Sequence, residues 1–100
     1  MSLINTNVTS TIANVYASSG NTVVSVAYFC NVNPSTVTFN LYAVPSGGSA
    51  TTATQIYKDV QIAAGDTFVI DMEKLVLGNS ETLKANASSN ITATISYVGI

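Results

Sequence analysis

Asp66, Asp71 and Glu73 lie close together in the sequence, and carboxylates can hold calcium or work as acid and base. A calcium loop supplies oxygen ligands at alternate positions around a tight glycine turn. Asp71-Met72-Glu73 makes one such step and stops, so solvated acids at a strand end are the expectation. Paired carboxylates also cleave glycosidic bonds, and the chain has five acids in all. Such a site needs aromatic rings in a cleft to stack the sugar, yet Trp is absent and most of the eight aromatics fall inside strand-like runs. Histidine is absent too. That removes the Ser–His and Cys–His nucleophile pairs and the commonest metal ligand. The lone Cys30 completes neither a zinc set nor an internal disulfide, and its place in an apolar run predicts a small buried hydrophobe. Gly47-Gly48 is followed by neither Lys nor a helix start, unlike a phosphate loop. The chain is therefore expected not to be an enzyme and to need no metal or other cofactor.

The charge pattern narrows the partners. Charged residues make up 8 % of the chain, against about 25 % in ordinary soluble domains. Ser, Thr and Asn, 35 residues together, take their place. There is no Arg, and Lys58, Lys74 and Lys84 are scattered, each with an acid within three residues. Phosphate backbones are bound by clustered cations, so nucleic acid is an unsuitable partner. A monomer normally coats itself with interleaved charge, and interface cores are depleted of it. Scarce charge thus points to a surface covered by neighbours, a homo-oligomer or a larger assembly. The first residues show no basic segment followed by an apolar one, so no secretory signal is expected. No apolar run nears the length needed to span a bilayer. The sequons at Asn7, Asn86 and Asn90 then reflect an Asn-, Ser- and Thr-rich composition.

The elements that position these residues read as strands. Over 36–44, Val37, Phe39 and Leu41 alternate with Thr38, Asn40 and Tyr42. Over 91–98, Ile91, Ala93, Ile95 and Tyr97 alternate with Thr92, Thr94 and Ser96. Weaker strands are predicted over 11–17, 55–62, 66–72 and 81–87. Residues 23–32 are apolar at both parities, which predicts a central strand covered on both faces. Lys58 falls in the Ile56–Val60–Ile62 stripe, a sign of an edge or a bulge. Residues 72–77 would suit a helical turn. Reversals are expected at Ser19-Gly20-Asn21, as a hairpin, and at Asn33-Pro34-Ser35, Ala64-Gly65-Asp66 and Leu77-Gly78-Asn79. Residues 45–52, with two glycines, lie outside the sheets. About seven short strands at this spacing predict an all-β fold over residues 1–100, a single antiparallel sandwich or a barrel.

Tyrosine packs its ring while its hydroxyl stays wet. Tyr28 is expected to pack across strands. Tyr42 falls on the polar parity of its strand, which makes it the leading candidate for a subunit contact. Pro45 follows in the adjoining loop, and the apolar terminus Tyr97-Val98-Gly99-Ile100 needs cover. Tyr42, Pro45, Tyr97, Val98 and Ile100 are the expected interface residues.

Residues 41–50 and 56–100 carry a resemblance. Leu41-Tyr42-Ala43-Val44-Pro45-Ser46-Gly47-Gly48 and Ile56-Tyr57-Lys58-Asp59-Val60-Gln61-Ile62-Ala63-Ala64-Gly65-Asp66-Thr67 resemble the strand-and-loop and strand-and-turn of small virion structural proteins of tailed bacteriophages. Residues 75–77 and 81–88 are similar to their final hairpin before a last strand. The likeness covers about two thirds of the chain. It implies a β-sandwich in a phage particle, assembled in the host bacterial cytoplasm. The role implied is a head decoration or cement protein bound to the major capsid protein, with a trimer among the options. A neck, baseplate or tail-fibre-associated module is the alternative. A carbohydrate-binding module is the alternative from another class, disfavoured by the missing Trp.

Overall fold

Val, Ile, Thr and Tyr dominate the chain, and such side chains pack well on a pleated surface while crowding a helix. The computed structural model describes residues 2–70 and 75–100. Among them there is no helix and there are nine strands: β1 (Ser2–Val8), β2 (Ala13–Ala17), β3 (Thr22–Cys30), β4 (Val37–Val44), β5 (Gln55–Ile62), β6 (Thr67–Ile70), β7 (Leu75–Leu77), β8 (Thr82–Ala87) and β9 (Ile91–Gly99). They form two antiparallel sheets packed face to face. The first has the order β1-β9-β3-β6, with β7 also on β3, and the second β2-β8-β4-β5.

Pairing is nested about the loop 45–54. β4 pairs with β5, β3 with β6 and β7, β2 with β8, and β1 with β9. The chain is thus one long hairpin rolled up, with most successive strands falling in opposite sheets, the jelly-roll arrangement. The expected sandwich forms, and it is not a closed barrel. The expected hairpin at Ser19-Gly20-Asn21 is instead a crossing, because β2 and β3 lie in different sheets. The predicted helical turn does not form at residues 75–77, which pair with Thr22–Val24 of β3; the rest of that stretch and Met72 lie outside the described residues. β1 escaped the sequence reading because Leu3, Asn5 and Asn7 break the usual match of parity to polarity.

The inner faces meet in one hydrophobic cluster. Aromatic pairs join the sheets across it: Phe29 stacks on Phe39 with centroids 4.5 Å apart, Phe68 leans on Phe39 at 5.7 Å, and Tyr97 packs on Tyr16 at 4.5 Å. Phe29, Phe39, Leu83 and Ala93 are fully buried. A bulge re-phases β5: Asp59 adopts φ 50°, and its N–H donates to Asn40 Oδ1 at 2.9 Å. Tyr57, not Ile56, therefore turns toward the core opposite Leu41. The expectation of an edge or a bulge around Lys58 holds, since β5 ends the second sheet and bulges at Asp59.

Asn31, fully buried, ties one end of the sandwich. Its Nδ2 donates to the carbonyls of Ser35 (2.8 Å) and Ile62 (2.9 Å), and its Oδ1 accepts from the Asn33 N–H at 2.9 Å. Its backbone bonds reach Gly65 and Asp66. Gly65, at φ 73°, takes a left-handed conformation that a side chain would strain. Two loops, the one after β3 and the one after β5, are so fixed by one amide.

Candidate functional site

The strand registers define four rows across the outward face of the first sheet. Val98, Val23 and Val76 form the first, and Leu3, Ser96 and Val26 the second. Asn5, Thr94, Tyr28 and Val69 form the third, and Asn7, Thr92, Cys30 and Thr67 the fourth. The face grades from apolar at one end to hydroxyl and amide at the other. No strand residue of this sheet is charged. Leu3 and Val76 are each 65 % exposed or more, and Tyr28 and Val69 are about 40 % exposed. Isolated exposed apolar residues are ordinary, whereas contiguous ones mark contact surfaces.

This arrangement corrects one expectation and explains it. Residues 23–32 are apolar at both parities, and β3 is indeed central. Only one face is covered: Val24, Ala27 and Phe29 are buried, while Tyr28 stays open. On the second apolar parity Val23, Val26 and Cys30 are half-buried among the described residues. Cys30 is half-buried on this same face and free, not sealed in the core.

The outward face of the second sheet is different. Lys84 Nζ donates to Asn14 Oδ1 at 2.7 Å, Asn40 Nδ2 to Asn86 Oδ1 at 3.0 Å, and Gln55 Nε2 to Asn40 Oδ1 at 3.0 Å. These five side chains are already matched to one another. Tyr42 lies here between Lys84 and Gln55 in register. It is only 9 % exposed, which leaves little ring for a neighbour. Tyr28, expected to be packed, is the open tyrosine.

The remaining expected interface residues separate. Tyr97 points inward, onto Tyr16. Val98 lies in the first row of the open face, half-buried. Ile100 follows beside it, 72 % exposed, its N–H bonded to the Asn21 carbonyl at 2.9 Å. Pro45 is exposed and lines a shallow cleft of about 190 Å3 with Val44, Val76, Leu77 and Glu81. A second cleft, of about 180 Å3, is lined by Ile56, Tyr57, Ile70 and Leu75. Glu81 is the one ionisable group in these linings besides the Tyr57 phenol, and its Oε1 already accepts from the Gly78 N–H at 2.7 Å. Neither cleft assembles a base beside a nucleophile.

Among the described residues no group of three acids, Cys or His could hold a metal ion; Asp71 and Glu73 lie outside them. Nor is any helix there long and apolar enough to cross a membrane. Every buried side-chain nitrogen and oxygen among those residues has a partner, so no buried polar group is left aimed at a ligand. The sequence signal for the open face was the double-parity apolar run of β3. The partners Leu3, Val69, Val76 and Val98 were not recognisable as its neighbours until the strand order was known. The chain matches no known protein-family model, no curated protein and no solved structure.

Proposed function

We propose that this chain is a non-enzymatic structural protein of a tailed-phage virion, a cement or decoration module that stabilises the head lattice. The outer face of the first sheet is its contact surface. The observation that carries this reading is that face: four rows of uncharged side chains, apolar at one end, around the open ring of Tyr28. Surfaces of this composition favour a lasting contact, because burying them desolvates no charge. The resemblance to small phage virion proteins supports the particle as the setting. The jelly-roll arrangement is in keeping with it, being common in capsid proteins, although one fold serves many functions. The mechanism is linkage: a module that binds the assembled lattice and not free subunits stabilises the lattice by mass action.

Mixing the purified protein with decoration-free heads of the phage that encodes it tests the reading. Co-sedimentation at saturating, lattice-matched copy number is expected, together with raised thermal stability of the heads. Binding to tails at low copy number would move the protein to the neck, baseplate or tail-fibre alternative. Glycan binding by a monomer that ignores both heads and tails would overturn the virion reading in favour of a carbohydrate-binding module.

A further inference from the structure

Among the described residues the sandwich has four sheet edges, and three of them are blunted. β2 is five residues long with a register shift between Asn14 and Tyr16. β5 carries exposed Lys58 and the left-handed Asp59, and its register slips twice against β4. The edge along β3 is divided between β6 and β7. Bulges, charges and short strands are the usual protections against pairing with another chain.

β1 has none of these. It runs seven residues in one unbroken register, from Ser2 opposite Tyr97 to Val8 opposite Ile91. It contains no charge, no Pro and no Gly. Its far side is the end of the sheet, and Ser2, Leu3, Ile4, Asn5 and Asn7 are all exposed. A strand edge offers a row of backbone donors and acceptors that only another strand can match in full.

We propose that β1 pairs antiparallel with β1 of a second copy of this chain. A two-fold contact sets the residue on its axis against its own counterpart and pairs every other residue reciprocally, so a charge at its centre would face a like charge. This strand has no charge to repel itself. Only a two-fold axis at Asn5 pairs all seven residues, setting Asn5 opposite Asn5, Leu3 opposite Asn7 and Ile4 opposite Thr6 of the second copy. Asn5 Oδ1 accepts from Thr94 Oγ1 at 2.8 Å, which leaves its amide N–H groups to donate across the axis. The joined sheet has two copies of β1-β9-β3-β6, and the two uncharged outer faces become one continuous surface. The outer ends of that sheet are the divided β6/β7 edges, so the contact closes as a dimer and does not grow into a filament. The inference deepens the assembly reading by naming one partner, but its test needs only the isolated chain.

Sedimentation velocity across a concentration series reads the association directly. A dimer with a roughly micromolar dissociation constant is expected, in keeping with a small interface. Asn5→Lys and Asn5→Asp should each weaken it about tenfold or more, through like charges across the axis. An equimolar mixture of the two should restore a dimer. A parent that is monomeric at about 1 mM, or variants that associate as the parent does, would overturn the pairing. So would two folded, monomeric variants that fail to associate when mixed. Should either variant misfold, hydrogen exchange on the parent decides: β1 amides facing away from β9 gain protection with rising concentration if they pair, and unchanged protection overturns the proposal. A monomeric parent that still binds phage heads would remove the dimer and leave the virion reading standing.

Discussion

Asn40, on the outside of the second sheet, accepts from Gln55 and the Asp59 backbone and donates to Asn86. Tyr28, on the outside of the first, has Thr94 and Val69 beside it and an open ring. The two faces draw on similar residue types, with Thr, Asn and Tyr on both. On one, amides and a lysine are tied to each other within the chain. On the other, hydroxyls alternate with aliphatic groups of which Leu3, Val69 and Val76 stay exposed. A surface whose polar groups are already satisfied gains little by meeting a partner, whereas uncovered apolar area gains whatever it removes from water. The difference teaches which face of a nearly uncharged sandwich is the self-sufficient one.

The sharpest tests change one face at a time, with the interior as the yardstick. Asn31→Ala strands two loops at the end of the sandwich without their shared amide. It should cost about 3 kcal/mol in chemical denaturation, because buried carbonyls and an N–H lose their partner. Tyr28→Lys should weaken the proposed attachment to phage heads about 100-fold, as loss of a central aromatic contact does. Its unfolding midpoint should move little, since the ring is open in the free chain. A variant that binds heads like the parent would break the comparison, making the first face no more special than the second. Asn40→Ala should behave in the opposite way, costing about 1.5 kcal/mol of stability through its three lost hydrogen bonds while head binding is kept. Val76→Lys should be the mildest, shifting stability by under about 0.5 kcal/mol as surface changes do. It would sharpen the comparison by showing, in the binding assay, how far the contact reaches toward the valine end of the face.

Much of the fold was legible in the sequence. Strict alternation at 36–44 and 91–98 predicted β4 and β9, and the buried parity, Phe39 and Leu41 or Ala93 and Ile95, is the one expected. Alternation works there because one face meets the core and the other does not. It failed in β5 ahead of Asp59, where the bulge left Tyr57 inward in place of Ile56, while Val60 and Ile62 face the core as expected. It also failed for β1, whose outward Leu3 disguised the pattern. The candidate face was half legible. β3 announced two apolar parities, but its second parity implied full cover, whereas Tyr28 is exposed and Val23, Val26 and Cys30 are half-buried. Tyr42 was selected by parity alone, and parity cannot report that an outward ring is nearly buried.

The sequence by itself determined that this protein is all-β, nearly without charge, and lacking the His and the paired nucleophiles of familiar catalysis. Those properties follow from residue type and local period. Only the tertiary structure decided that the strands roll into nested pairs, so that β1, β3, β6, β7 and β9, charge-free to the last residue, share one sheet. Strand partners are set by long-range closure of one core, and no local period encodes which strand will lie beside which.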